Sequence, residues 1–172
     1  MRFQDKIAVV TGAASGFGAA IAKCFAAEGA SVVVADVDEA GGKEVATAIC
    51  DPDGAAIFVR ADVSQADQVK AMIDAAVDQY GGLDILVNNA GFTHRMMPLW
   101  DLPEEDYDRV FAVNTKGVYL GAKYGVPALR KRGGGVIVNT ASIGAVAPRP
   151  GVTAYNATKG AVVTMTRGLA ME

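Results

Sequence analysis

Tyr155 and Lys159 stand four positions apart in the run Tyr155-Asn156-Ala157-Thr158-Lys159, the spacing that puts two side chains on one face of a helix. A free phenol, with a pKa of ~10, is a poor acid or base near neutrality. An ammonium group about 4 Å away favours the phenolate by up to ~4 kcal/mol at an effective dielectric of ~20. That draws a phenol toward the working range of a general acid/base. Such a pair suits proton transfer at a carbonyl or alcohol oxygen while a hydride moves at the carbon. Taken alone, a Tyr-x-x-x-Lys pair is more often a solvated helix face.

A second group of residues points to a phosphate-bearing ligand. The segment Thr11-Gly12-Ala13-Ala14-Ser15-Gly16-Phe17-Gly18 follows an apolar run and opens a helical pattern. Glycines there allow a sharp turn and a close approach of backbone N–H groups to a pyrophosphate, and the helix N-terminus adds favourable partial charge. The spacing is G-x-x-x-G-x-G, and no Lys-Ser/Thr follows, so it is not a P-loop. In isolation, glycines kept for strand–helix packing read the same way. Asp36 ends the next apolar run, 18 residues after Gly18. A carboxylate there accepts hydrogen bonds from an adenosine ribose and repels a 2′-phosphate, which favours NAD over NADP. Neither Ser15 nor Val37 is a basic residue, in agreement. The alternative for Asp36 is a solvated strand end.

The elements that must position these groups alternate along the chain. Strands are predicted at Ile7–Thr11, Ser31–Asp36, Ala55–Arg60, Leu83–Asn88 and Val136–Thr140. Helices are predicted at Gly16–Glu28, Glu39–Ile49, Ser64–Tyr80, Glu104–Arg132 (in one or two pieces) and Thr153–Glu172. Gly29 and Gly81-Gly82 follow helices where a C′ glycine is expected. Asp51-Pro52-Asp53-Gly54 reads as a turn. Ser64 with Asp67 reads as an acidic capping box. The strands are continuous apolar runs, as in parallel strands covered on both faces. The expected fold class is therefore α/β, a doubly wound parallel sheet.

Composition excludes several other classes. Of the 172 residues, 51% are hydrophobic, enough for a substantial core and too many for a disordered chain. The net charge of −3 comes without a basic stripe, which argues against nucleic acid. Cys24 and Cys50 are far apart and there is one histidine, so a metal site is not expected. Cys24 lies in an apolar helical stretch and reads as a small core residue. No run approaches the ~20 apolar residues of a membrane span, and no leader precedes Ile7, so a reduced cytoplasmic setting is expected.

Taken in order, Thr11–Gly18, Asn88-Asn89-Ala90-Gly91 and Tyr155–Lys159 resemble the short-chain dehydrogenase/reductase family in its T-G-x-x-x-G-x-G, N-N-A-G and Y-x-x-x-K form, and the likeness spans all 172 residues. The resemblance implies a catalytic set of Asn114, Ser142, Tyr155 and Lys159. Ser142 corresponds to the residue that hydrogen-bonds the substrate oxygen, and Asn114 to the one that holds a water near the lysine. Lys159 corresponds to the lysine that also binds the nicotinamide ribose. A cofactor-binding set is implied at Gly12, Ser15, Gly16, Phe17, Gly18, Asp36, Asp62, Val63, Asn89, Ala90 and Gly91, together with Tyr155 and Lys159. Asp62 read alone could simply cap the following helix.

The function so implied is hydride transfer between NAD(H) and a secondary alcohol or ketone. Both a 3-oxoacyl-carrier-protein reductase-like and a sugar dehydrogenase-like activity fit. The alternative is a non-catalytic nucleotide-binding or oligomer-forming chain. A homodimer or homotetramer is implied, joined through the Glu104–Arg132 and Tyr155–Glu172 helices. Two loops face the substrate side, Phe92–Trp100 and Ile143–Ala154. There Met96, Met97 and Trp100 are expected to pack under the loop in preference to lining an apolar pocket, and Arg95 to be solvated in preference to meeting an anionic substrate. His94 completes no Ser-His-Asp arrangement. Family members continue beyond the last helix, through further strands and a segment over the substrate. This chain stops inside that helix. The expectation is one Rossmann-like domain over 1–172, C-terminally incomplete, with Val136–Thr140 on an open sheet edge.

Overall fold

The computed structural model describes residues 1–50 and 54–172. Five parallel strands form one sheet: β1 (Ile7–Thr11), β2 (Ser31–Asp36), β3 (Ala55–Arg60), β4 (Ile85–Asn88) and β5 (Val136–Asn139). Their order is β3-β2-β1-β4-β5. The chain winds outward from β1 to β3 on one side, then crosses back to place β4 against the other side of β1. The expected doubly wound sheet is thus present, with its order reversing between β1 and β4. That reversal opens a crevice at the carboxyl ends of those two strands.

The sheet is covered on both faces, which is why its strands lack polar alternation. Successive residues point to opposite faces. Ala8, Val10, Val32, Val34, Ile85 and Val87 pack with Ala22 of α1 (Gly16–Ala27) and with Val45, Ala46 and Ile49 of α2 (Glu39–Cys50). Ile7, Val9, Val33, Ala35 and Leu86 pack with Val69, Met72 and Ile73 of α3 (Ala66–Tyr80) and with Leu120 and Leu129 of α5 (Gly117–Lys131). β5 pairs with β4 alone, and Val136 and Val138 stay exposed, so the expected open edge is observed among the described residues.

Several boundaries differ from expectation. The Glu104–Arg132 region divides into α4 (Glu104–Phe111), a π-helical segment (Ala112–Lys116) and α5. The last helix, α6, spans Thr153–Leu169. Gly29 closes α1 at φ 96°, its N–H donating to Ala26 O at 2.9 Å, as expected of a left-handed C-terminal residue. The capping box at Ser64 does not form: α3 begins at Ala66 after Gln65, with no side-chain cap. Ser64 instead gives both its N–H and its hydroxyl to Asp62 Oδ1, at 2.9 and 2.7 Å. Cys24 is exposed, not core. α1 is apolar nearly all round, so composition did not reveal its buried face. The turn expected at 51–54 lies, apart from Gly54, outside the described residues.

Candidate active site

The crevice begins where β1 and β4 end side by side. Thr11 Oγ1 donates to Val87 O and accepts from the N–H groups of Asn89 and Ala90, each at 3.0 Å. The Asn89 amide donates to Thr11 O and Gly12 O, and Thr140 Oγ1 donates to Asn89 Oδ1. The glycine turn, the Asn-Asn-Ala-Gly segment and the end of β5 are thereby joined. Gly12 has φ 64°, and a Cβ there would lie 2.8 Å from Ala90 Cα. A Cβ on Gly18 would overlap Gly12 O. These two glycines let α1 start against the turn without a side chain between.

The resulting cleft has a volume of about 920 Å³. Its walls include every expected cofactor-binding residue: Gly12, Ser15, Gly16, Phe17, Gly18, Asp36, Asp62, Val63, Asn89, Ala90, Gly91, Tyr155 and Lys159. A dinucleotide fits this lining on three observations. Ser15 precedes α1 without a side-chain cap, so first-turn N–H groups of a twelve-residue helix remain for an anion. No side chain stands over Gly16, where a Cβ would meet nothing within 4 Å. Asp36 accepts from Ala14 N–H at 2.9 Å and Asp38 N–H at 3.0 Å, yet a carboxylate has about four acceptor positions, so capacity for a hydroxyl donor remains.

Ser142, Tyr155 and Lys159 line the same cleft at its β4–β5 side. Ser142 precedes a short helical turn, and its Oγ accepts from Gly144 N–H at 3.1 Å, leaving its own hydrogen free to donate. Tyr155 and Lys159 share a face of α6, with Lys159 Nζ 5.8 Å from the centre of the Tyr155 ring. Lys159 is buried and donates to Thr140 O at 2.7 Å. Burial pushes its pKa down, because the ammonium is stripped of water.

Asn114 differs from its three companions, because it lies behind the cleft wall. It is fully buried at the centre of the π-helical segment. Its Oδ1 accepts from Phe92 N–H at 2.8 Å, and its amide donates to Phe92 O and Thr158 Oγ1. Both amide hydrogens are therefore engaged within the protein. Asn114 fastens the segment after β4 to α6.

The substrate-side loops also depart from expectation. Met96 and Trp100 are exposed and do not pack under the loop. Arg95 is exposed as expected. His94 is buried, its Nδ1 2.7 Å from Arg95 O, and it is not part of the cleft wall. Two charged residues not singled out from sequence also line the cleft, Arg109 of α4 and Arg149. Arg149 lies between two prolines in the loop before Tyr155, which was a usable signal. Nothing in the pattern of α4 marked Arg109.

The chain belongs to the short chain dehydrogenase family, whose family model it matches over residues 6–172. It is 45% identical over 172 residues to 4-formylbenzenesulfonate dehydrogenase TsaC1/TsaC2 of Comamonas testosteroni, a match covering 100% of this chain and 68% of that protein. A short chain dehydrogenase/reductase from Burkholderia phymatum, solved in complex with NAD, superposes with a TM-score of 0.94 at 39% identity, over 98% of this chain and 60% of that one. The 3-ketoacyl-(acyl-carrier-protein) reductase from Brucella melitensis, complexed with NADH, gives 0.93 at 44% identity, over 98% of this chain and 70% of that one. The chain thus spans 60 to 70% of the length of these relatives.

Proposed function

We propose that this chain carries the NAD(H)-binding and proton-transferring machinery of an oxidoreductase acting on a secondary alcohol or ketone. One observation carries the reading: Tyr155, Lys159 and Ser142 meet the glycine turn in a single cleft at the reversal point of the sheet. Nicotinamide dinucleotide, when bound, supplies or accepts the hydride. Tyr155 gives its hydroxyl proton to the carbonyl oxygen as the carbon is reduced, and takes a proton back in the oxidising direction. Lys159 favours the phenolate so formed. A neighbouring ammonium favours the charged form of a phenol. The free hydrogen of Ser142 points the substrate oxygen toward Tyr155 and favours negative charge there.

Asp36 supports NAD over NADP through its charge at the end of β2. The 3-ketoacyl reductase among the similar structures is complexed with NADH, and the Comamonas relative is named for an aldehyde that bears a sulfonate. Assembly as a homodimer or homotetramer through the Glu104–Arg132 region (α4 and α5) and α6 belongs to the same proposal. A second reading, nucleotide binding without turnover, draws on the exposure of Ile143 and Val146 beside Ser142. Water reaches reacting groups that are flanked in this way, whereas hydride transfer is favoured where water is excluded.

Fluorescence titration of the chain with NADH and NADPH in parallel tests the cofactor half, and saturable, preferential NADH binding is the expected result. A ketone panel then tests turnover. Tyr155→Phe should cost about 10² to 10⁴ in rate while NADH still binds. NADH binding without reduction of any ketone would favour the second reading.

A further inference from the structure

We propose that the substrate end of the cleft is built for a carbonyl compound bearing a carboxylate or sulfonate, held by Arg109 and Arg149. This rests on the oxidoreductase reading and adds the substrate class to it. The charges lining the cleft are sorted by the topology of the sheet. The acidic residues lie on one side of β1, Asp36 at the end of β2 and Asp62 just after β3. The arginines lie on the other side, among the residues that follow β4 and β5 and that include Ser142 and Tyr155. Among the described residues, neither arginine has a carboxylate within 4.0 Å, whereas Arg132 and Arg2 each do. Arg109 also has Glu104, Glu105, Asp106 and Asp108 on its own helix, none of them paired with it, and positive charge lining a cleft concentrates anions there.

The Arg109 side chain and the Arg149 backbone are also held in place. The Arg109 guanidinium carbon sits 4.1 Å over the centre of the Phe92 ring, and Phe92 is fixed at both its N–H and its carbonyl by buried Asn114. Stacking occupies a face of the guanidinium and leaves its N–H edges free, the arrangement suited to a bidentate oxyanion. Arg149 is anchored through its carbonyl, which accepts from the buried Asn156 amide at 2.8 Å, one residue after Tyr155. A 2′-phosphate of the cofactor would lie at the Asp36 end, so it is not the anion these arginines serve.

The test compares 4-acetylbenzoate with 4′-methylacetophenone, two ketones that differ in one substituent. Each is titrated calorimetrically into the chain saturated with NAD, a complex in which no reduction occurs. The expected result is that the benzoate binds about tenfold or more tightly at low ionic strength. The preference should shrink as salt is added. It should also disappear in the double variant Arg109→Ala, Arg149→Ala, whose melting curve checks that it folds. Equal binding of the two ketones, no binding of either to the NAD complex, or a preference that survives in the double variant would overturn the proposal. Failure of NAD itself to bind would remove the reading beneath it, an outcome distinguishable from the other three.

Discussion

Asp36 fixes the glycine turn and, in the proposed reading, also meets the ligand. Its carboxylate accepts from Ala14 N–H and Asp38 N–H, which fixes the glycine turn to β2. Asp36→Asn removes the charge but turns an amide donor toward one of those N–H groups. The expected outcome is a rise on the order of tenfold in the NADPH-to-NADH affinity ratio, equivalent to about 1.4 kcal/mol. A loss of roughly 1 kcal/mol in stability should accompany it. Parallel nucleotide titrations and urea melts check the two effects. Lys159 offers a test of its own. Burial holds its folded-state pKa below the ordinary 10.5. Between those two values the unfolded chain binds more protons than the folded one, so stability rises with pH across that window. Below the window the full cost of the buried ammonium remains. Lys159→Met lacks this titration, so the wild type should gain on the variant as pH climbs toward 10.5. A gap in urea midpoint that stayed constant with pH would contradict the assignment.

At the scale of elements, the π-helical turn between α4 and α5 decides what Asn114 can do. One extra residue in the turn shifts the phase of the helix, so that α4 keeps Val110 inward, α5 keeps Leu120 and Leu129 inward, and Asn114 is swung between them. Asn114→Ala would leave Phe92 N–H, Phe92 O and Thr158 Oγ1 short of a partner in a buried site. The expected cost is on the order of 3 kcal/mol, read from chemical denaturation. The strands and most helices were legible in the sequence because two-sided burial leaves an unmistakable trace, as in Val32–Val34. The cleft-lining glycines were legible because turn and helix start follow one another along the chain. The π turn was not, since Val113-Asn114-Thr115 carries no cue that separates it from an ordinary helix. The start of α3 was misread because Asp62 competes with the helix end for Ser64, and local spacing does not say which partner wins. Arg109 escaped notice for a related reason: its neighbour Phe92 lies in the distant segment after β4.

For the molecule as a whole, the sheet order brings distant parts of the chain to one place. Residues 12–18, from near the beginning, form one wall of the cleft, and residues 142–159 form the other. Between them runs the segment after β4, while the segments after β2 and β3 lie on the far side of the glycine turn. A ligand spanning the walls binds the folded form alone, so at a hundredfold excess over its Kd it should stabilise the chain by about 2.7 kcal/mol. A thermal melt with and without NADH measures this, and an unchanged midpoint would mean that the cleft does not take the nucleotide. A dinucleotide laid across that gap acts as a non-covalent staple. The backbone amides of both walls should then slow their hydrogen exchange together, as one unit that must part before either can open.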